Sequence, residues 1–396
     1  MYNHKLSSSK VNEKLLNFLS NSKRKTVLFE LRLYCLFNED GTIRWAIPSG
    51  SKSPLFLKTY NPINLRAFLI YKVLLLIHFL GLYRVFFKEI FLKVYEQSIL
   101  SEYLINNNIL DWSLFFGTAG DNRKIIMILK KKSGVSFVKI GLNQSSIESI
   151  VNEKNALLYL SSHNIKVPTI LSYNLDYNCL ELNDFGGRMI VRHNNFSLPH
   201  FNFMCELHSI SESKMNLKDS EFYLKIQRRI SFLTTLDLKK TNLEIWIIDL
   251  LQNVKMNFDK LSCLTDLSFG PSHGDFTSWN VFFYGVNPEI RCLDWEFFDT
   301  EAPKFYDFFH FNFQSRFLNS SSKSDYKKFL YNLFIQITED FNYSINYTAF
   351  ISYFNLYLLD IVSKNLAMYC QSDENLHKEA KSLLLAWSYF LNENIN

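Results

Sequence analysis

The sequence predicts an α+β chain: a five-stranded antiparallel lobe carrying one helix, then a mostly helical lobe, both behind an extra N-terminal region. Three observations predict it. Short β-rich runs separated by turn residues cluster between Trp112 and Asp184. From Lys304 to Asn396 neither Gly nor Pro occurs, and apolar residues recur at helical intervals, as in Tyr353, Leu356, Leu359 and Ile361. All twelve glycines lie at or before Gly285, nine of them from Gly117 onward, so turn chemistry is concentrated in the middle of the chain.

Composition bounds the reading. With 396 residues, 47% of them hydrophobic and 20% charged, the chain has ample material for a core and is excluded from the disordered classes. Six cysteines lie far apart with no C-x-x-C pair, so neither a zinc site nor a disulfide framework is readable. Met1 to Lys10 lacks the apolar core of a secretory signal, and a cytoplasmic setting is the expectation. Charge is unevenly placed: residues 1–110 hold 15 Lys and Arg against 7 Asp and Glu, and the remainder 28 against 31. A basic N-terminal part on a mildly acidic body suggests regions with different partners. Nucleic acid is not among them, because no dense basic stripe with interleaved aromatics occurs.

Taken in order, residues 1–110 form an N-terminal extension. Val27–Phe37 and Thr42–Ile47, joined by Asn38-Glu39-Asp40-Gly41, read as a strand pair. Residues 67–92 are strongly apolar but carry Lys72, His78, Arg84 and Lys88. A span needs about 18 residues nearly free of charge, so a buried or docking helix fits best, an interfacial membrane helix is the first alternative and a true span the last. Residues 111–185 form the β-rich lobe. Leu114–Thr118, Lys124–Lys130 and Val135–Ile140 are strands, separated by Ala119-Gly120-Asp121-Asn122 and Lys132-Ser133-Gly134. Ser145-x-x-Glu148 fits a capping box opening a helix whose stripe includes Ile147, Ile150, Val151, Leu157 and Leu158. Thr169–Tyr173 and Cys179–Leu182 complete five strands. Residues 186–396 are helical, interrupted by a loop at Gly270–Asp275 and a hairpin of Val281–Tyr284 and Ile290–Leu293.

The chemistry is concentrated in His273-Gly274-Asp275-Phe276-Thr277-Ser278-Trp279-Asn280, followed by Leu293-Asp294-Trp295-Glu296. Asp275 sits in a loop where a carboxylate can meet an incoming hydroxyl. Asn280 opens the hairpin and Asp294 ends it, so the hairpin returns the acid toward the amide. One carboxylate and one amide oxygen converging there suit Mg²⁺, a hard cation often held beside substrate phosphates.

This H-G-D-x-x-x-x-N motif with a following D-W-E resembles the aminoglycoside phosphotransferase and choline kinase family, over roughly Asp111 to Asn396. The resemblance implies a protein-kinase-like bilobal fold and an ATP- and Mg²⁺-dependent kinase. In it, Asp275 is the catalytic carboxylate and Asn280 and Asp294 hold the metal. It also implies a nucleotide-binding lysine on the third strand and a glutamate on the next helix to fix it. Lys139 is in that strand. Glu153 is taken as its partner, since Glu148 is accounted for by the cap. Gly120, Asp121 and Asn122 would form the phosphate-covering turn, and Glu181 to Asp184 the hinge. Asp307 matches an acid that braces the catalytic loop. His273 reads as an architectural hydrogen-bonder in the same loop, and His208 as a satisfied core residue.

The expected acceptor is the hydroxyl of a sugar, an amino alcohol or a glycolipid precursor. Glu296, Asp299 and Glu301 leave room for a local acidic patch that would suit a polycation. Residues 1–110 would make peripheral contact with an anionic membrane surface or a membrane-bound partner. The rival reading is a pseudokinase-like scaffold that binds nucleotide without transfer; keeping Lys139, Asp275, Asn280 and Asp294 together argues against it.

Overall fold

The computed structural model describes residues 12–20, 22–23, 26–60, 62, 65–106, 108–117, 123–186, 190–235, 245–285, 289–319, 326–371 and positions 384, 385 and 389. The chain divides into two units, Met1–Tyr159 with Lys166–Gly187, and Leu160–Ile165 with Arg188–Asn396.

The first unit is built on one eight-stranded sheet. Its strands are β1 (Val27–Phe37), β2 (Ile43–Pro48), β3 (Lys88–Tyr95), β4 (Asp111–Phe115), β5 (Lys124–Lys131), β6 (Gly134–Gly141), β7 (Ile170–Asn174) and β8 (Cys179–Asn183). They lie in the order β3-β1-β2-β4-β5-β6-β8-β7, and each recorded pairing is antiparallel. The expected five strands are therefore five of eight. The N-terminal extension continues the sheet, because β2 pairs with β4 at Trp45 to Phe115 and Ala46 to Leu114. Pairing satisfies an edge that would otherwise expose backbone donors and acceptors.

Alternation along the strands sorts side chains to two cores. Leu33, Cys35, Ala46, Leu92 and Val94 enter one, with Met127, Val138 and Ile140; residues 12–20, helix α1, add Leu15, Leu16 and Leu19. Tyr34, Trp45 and Ile47 face the other, where Leu74 and Ile77 of helix α2 (Leu65–Phe79) and Tyr83 of the short helix α3 (Tyr83–Phe86) pack. The apolar stretch 67–92 is thus not one helix. From Lys88 its period becomes two: Leu92 and Val94 are buried while Phe91 and Lys93 are exposed, and the segment pairs with β1. Helix α4 (Ile99–Asn106) follows, and its Ile99, Leu100 and Tyr103 join the first core.

Helix α5 (Gln144–Ser162) follows β6. Its cap differs from the expected one. Asn143 and Ser146 cap each other, Ser146 N donating to Asn143 Oδ1 (2.9 Å) and Asn143 N to Ser146 Oγ (3.0 Å). Glu148 instead accepts from Gln144 Nε2 (2.7 Å), one turn earlier.

The second unit carries two three-stranded sheets and six helices among the described residues. The sheets are β10 (Ser213–Met215), β11 (Leu267–Ser272) and β14 (Asp299–Pro303), and β13 (Glu289–Cys292), β12 (Val281–Tyr284) and β9 (Ile190–Val191). The helices are α6 (Leu198–Ser209), α7 (Glu221–Thr235), α8 (Ile245–Leu261), α9 (Tyr306–Asn319), α10 (Tyr326–Ile335) and α11 (Tyr347–Gln371). Local propensity predicts loop at Gly270–Ser272, yet β11 runs through Gly270-Pro271. Proline removes one ladder donor there, and the register with β14 shifts between Gly270 and Ser272 to accommodate it. The abundant phenylalanines become core: Phe196 meets Phe308 and Phe311, and Phe309 meets Phe350 and Phe354.

Candidate active site

In the first unit the structure brings together Lys139 and Glu153. Val138 and Ile140 point into the core, so Lys139 stands on the opposite face of β6, a strand paired on both sides. Glu153 is fully buried on α5. Lys139 Nζ donates to both of its carboxylate oxygens, at 2.7 and 2.6 Å. The lysine's side chain is only 13% exposed, so it is not a solvated surface lysine. Burying both charges costs desolvation that the contact must offset, and removing Lys139 deprives the carboxylate of that counter-charge.

The expected hinge carries structural side chains. Glu181 is buried and accepts from Lys131 Nζ (2.5 Å) and Ser136 Oγ (2.6 Å); Asp184 pairs with Lys58. Gly120, Asp121 and Asn122, the expected phosphate-covering turn, lie outside the described residues.

In the second unit, β11 delivers the chain into the segment 273–280. Gly274 takes φ +79°, and a Cβ there would stand 2.1 Å from the carbonyl oxygen of Phe297. No other residue fits without moving that backbone. Asp307, in the first turn of α9, accepts from His273 N (2.7 Å) and Gly274 N (3.0 Å) with its two carboxylate oxygens. Burial pushes its carboxyl above the ordinary range, while His273 and the two N–H donors pull it back. His273 is wholly buried, and burial lowers its pKa. Its Nδ1 accepts from Asp275 N (3.3 Å), which assigns the proton to Nε2, the donor to Leu293 O (2.9 Å). His273 therefore ties the loop to the hairpin.

Asp275 is held at both oxygens. Oδ2 accepts from Asn280 Nδ2 (2.8 Å), and Oδ1 from His310 Nε2 (3.0 Å). The Tyr357 hydroxyl stands 3.3 Å from His310 Nδ1. Asn280 also donates to the main-chain oxygen of Asp275 (3.1 Å), which turns its amide oxygen away from the carboxylate. Residues 281–284 pair with 292–289, and Leu293 N donates to Asn280 O (2.9 Å), so Asn280 lies opposite Leu293 with Asp294 next in line. Asp294 has a left-handed backbone (φ 65°, ψ 60°) and leads into a short 3₁₀ turn, Trp295–Phe297. Trp295 anchors that turn: it is fully buried, donates to Cys292 O (3.2 Å) and packs 4.4 Å from the His273 ring.

The amide oxygen of Asn280 and the carboxylate of Asp294 are hard oxygen donors of the kind Mg²⁺ takes. Among the described residues no group of three or more His, Cys, Asp or Glu could hold a metal.

Two residues of this neighbourhood escaped the sequence reading. His310 lies three residues after Asp307, one turn along the same helix, and that spacing was the available signal. Lys364 on α11 lies over the Phe297 ring at 3.7 Å; burial lowers its pKa, opposed by the charges of Asp360, Asp275 and Glu296. The acidic run after Asp294 is largely engaged. Asp299 pairs with Lys225 (2.6 Å), and Glu301 accepts from Glu221 N (2.5 Å). His208 sits in the core with Nε2 3.0 Å from Ser268 Oγ.

No family profile matches the sequence, and no curated protein matches it either. Solved structures do. A choline kinase from Streptococcus pneumoniae superposes with a TM-score of 0.51 at 12% identity, covering 74% of this chain and 98% of that one. The fold is protein-kinase-like. An ethanolamine kinase from Plasmodium vivax also matches, with a TM-score of 0.49 at 15% identity, covering 86% of this chain and 95% of the other. An ADP-bound aminoglycoside phosphotransferase gives 0.49 at 14%, covering 75% and 99%.

Proposed function

We propose that the chain is a small-molecule kinase that transfers the γ-phosphoryl group of ATP to a hydroxyl. The observation that carries this reading is Asp275, fixed at both oxygens by Asn280 and His310 in a loop braced by Asp307. Phosphoryl transfer asks for position and charge neutralisation, and this loop offers the first. In the reaction, a bond forms between the acceptor oxygen and the γ-phosphorus as the bond from γ-phosphorus to the bridging oxygen breaks. ADP leaves, and the acceptor proton passes to Asp275. A carboxylate is a far weaker base than an alkoxide, so its main task is to orient the hydroxyl. Lys139, kept in place by Glu153, would bind the α- and β-phosphates. Asn280 and Asp294 would hold Mg²⁺, which supplies positive charge against the phosphate oxygens when bound.

The acceptor in this proposal is a sugar, an amino alcohol or a glycolipid precursor. A polycationic acceptor has less support, since Asp299 and Glu301 are already engaged. The test is calorimetry with Mg·ATP followed by ADP release across a panel of hydroxyl compounds. Saturable ATP binding plus acceptor-dependent ADP release is the expected result. ATP binding with no turnover on any acceptor would favour the scaffold reading, and no binding at all would end both.

A further inference from the structure

Helix α2 is apolar on both faces. Leu74 and Ile77 are buried against the core, as an amphipathic helix requires. The opposite face should be polar and is not. Leu65, Leu69, Val73 and Leu76 recur at spacings of three and four, and Leu65 is 75% exposed. Beyond the helix, Phe79, Val85 and Phe86 are exposed as well, at 71%, 72% and 57%. Of the 26 large apolar residues exposed among the described residues, twelve fall within positions 65–91. Isolated exposed leucines are ordinary, whereas a continuous apolar patch marks a surface that something covers.

Charge identifies the occupant. Exposed residues 65–93 carry Arg66, Lys72, Arg84, Lys88 and Lys93 against Glu89 alone. A second copy docked face to face would oppose like charges. An anionic lipid surface offers the complement to both features: acyl chains for the leucines and phenylalanines, and headgroup charge for the cations. No helix among the described residues is long and apolar enough to cross a membrane, so α2 would lie in the interface. We propose that helices α2 and α3 form a peripheral docking surface for anionic lipid. The proposal stands apart from the kinase reading, because none of these residues belongs to the candidate active site.

The test is co-sedimentation of the full chain with vesicles of phosphatidylcholine, with and without phosphatidylserine. Binding should require phosphatidylserine and weaken with salt. Leu69→Glu with Leu76→Glu should abolish it, and Arg66→Ala with Lys72→Ala should lower the partition coefficient roughly 30-fold, about fivefold per cation. All four side chains are exposed, so an unchanged melting temperature checks that the variants fold. Indifference to phosphatidylserine would overturn the proposal. So would a dimer in sedimentation equilibrium that Leu69→Glu with Leu76→Glu dissolves, since the occupant would then be a second copy.

Discussion

The two polar centres, one in each unit, are stabilised in opposite ways. At Lys139–Glu153 a cation and a carboxylate neutralise each other through two hydrogen bonds, and the glutamate is fully buried. At Asp275 the carboxylate is only partly buried and is held by an amide and an imidazole. Among the described residues no lysine or arginine hydrogen-bonds to it. The first centre spends its charge on its own stability, which makes it a rigid prop for one ammonium group. The second holds both oxygens by side-chain hydrogen bonds from Asn280 and His310, with the charge of Lys364 nearby, and so fixes the direction in which the carboxylate faces a partner. Breaking the first should therefore damage the protein, and breaking the second should damage the chemistry.

The largest expected effect is catalytic. Asp275→Ala should lower kcat by at least about a thousandfold while leaving the Kd for Mg·ATP near that of the parent protein. Steady-state ADP release and calorimetry measure the two. Equal loss of binding and turnover would erase the contrast between the centres.

Lys139→Ala should reverse the pattern. It leaves Glu153 as a buried carboxylate without that partner, at a cost of about 3–5 kcal/mol. Denaturant unfolding reads this directly. The double variant Lys139→Met with Glu153→Leu should recover much of the stability yet remain weak in nucleotide binding. A single variant as stable as the parent would show that the pair is not a buried ion pair in solution.

His310 sharpens the comparison. It is a positioning residue: it touches the carboxylate of Asp275. His310→Ala should lower kcat by about tenfold to a hundredfold with little change in nucleotide KM, since misplacement by an ångström has effects of that order. His310→Gln, which restores an N–H donor, should recover part of it. Loss of stability with unchanged kcat would make His310 merely structural.

The smallest effect is on acid stability. Burial lowers the pKa of both His200 and His208 to about 4, against an ordinary 6.5. The unfolded chain then binds more protons than the folded one between these values, so stability rises with pH across that window. The contribution is complete above pH 6.5 and is lost as pH falls toward 4, with an upper bound of about 3 kcal/mol per histidine. Melting temperatures of the parent protein and of His208→Gln should converge as pH falls toward 4.

Much of this was legible in the residues. Strand-forming runs with turn residues between them marked β5, β6 and β8 to within a residue or two, because β-prone residues there are bounded by turn chemistry on both sides. The hairpin that carries Asn280 and Asp294 was equally plain. Other elements were not. Strand β11 contains Gly270-Pro271, and local propensity reads that pair as a turn; only pairing with β10 and β14 makes it a strand. Strand β3 was hidden inside an apolar run whose period changes at Lys88 without a breaker. The cap of α5 went to Asn143 and Ser146 because these two, three residues apart, bond each other's backbone N–H in place of the expected pair.

The sequence by itself determined the fold class, the order of the elements and the residue types at the candidate centre. These follow from periodicity, turn chemistry and motif spacing, all local in the chain. Tertiary structure alone decided that the N-terminal extension joins the sheet, that His310 reaches Asp275, and that one face of α2 is left bare. Each depends on which distant surfaces meet, and that is set by pairing and packing across tens of residues, where no local pattern carries the information.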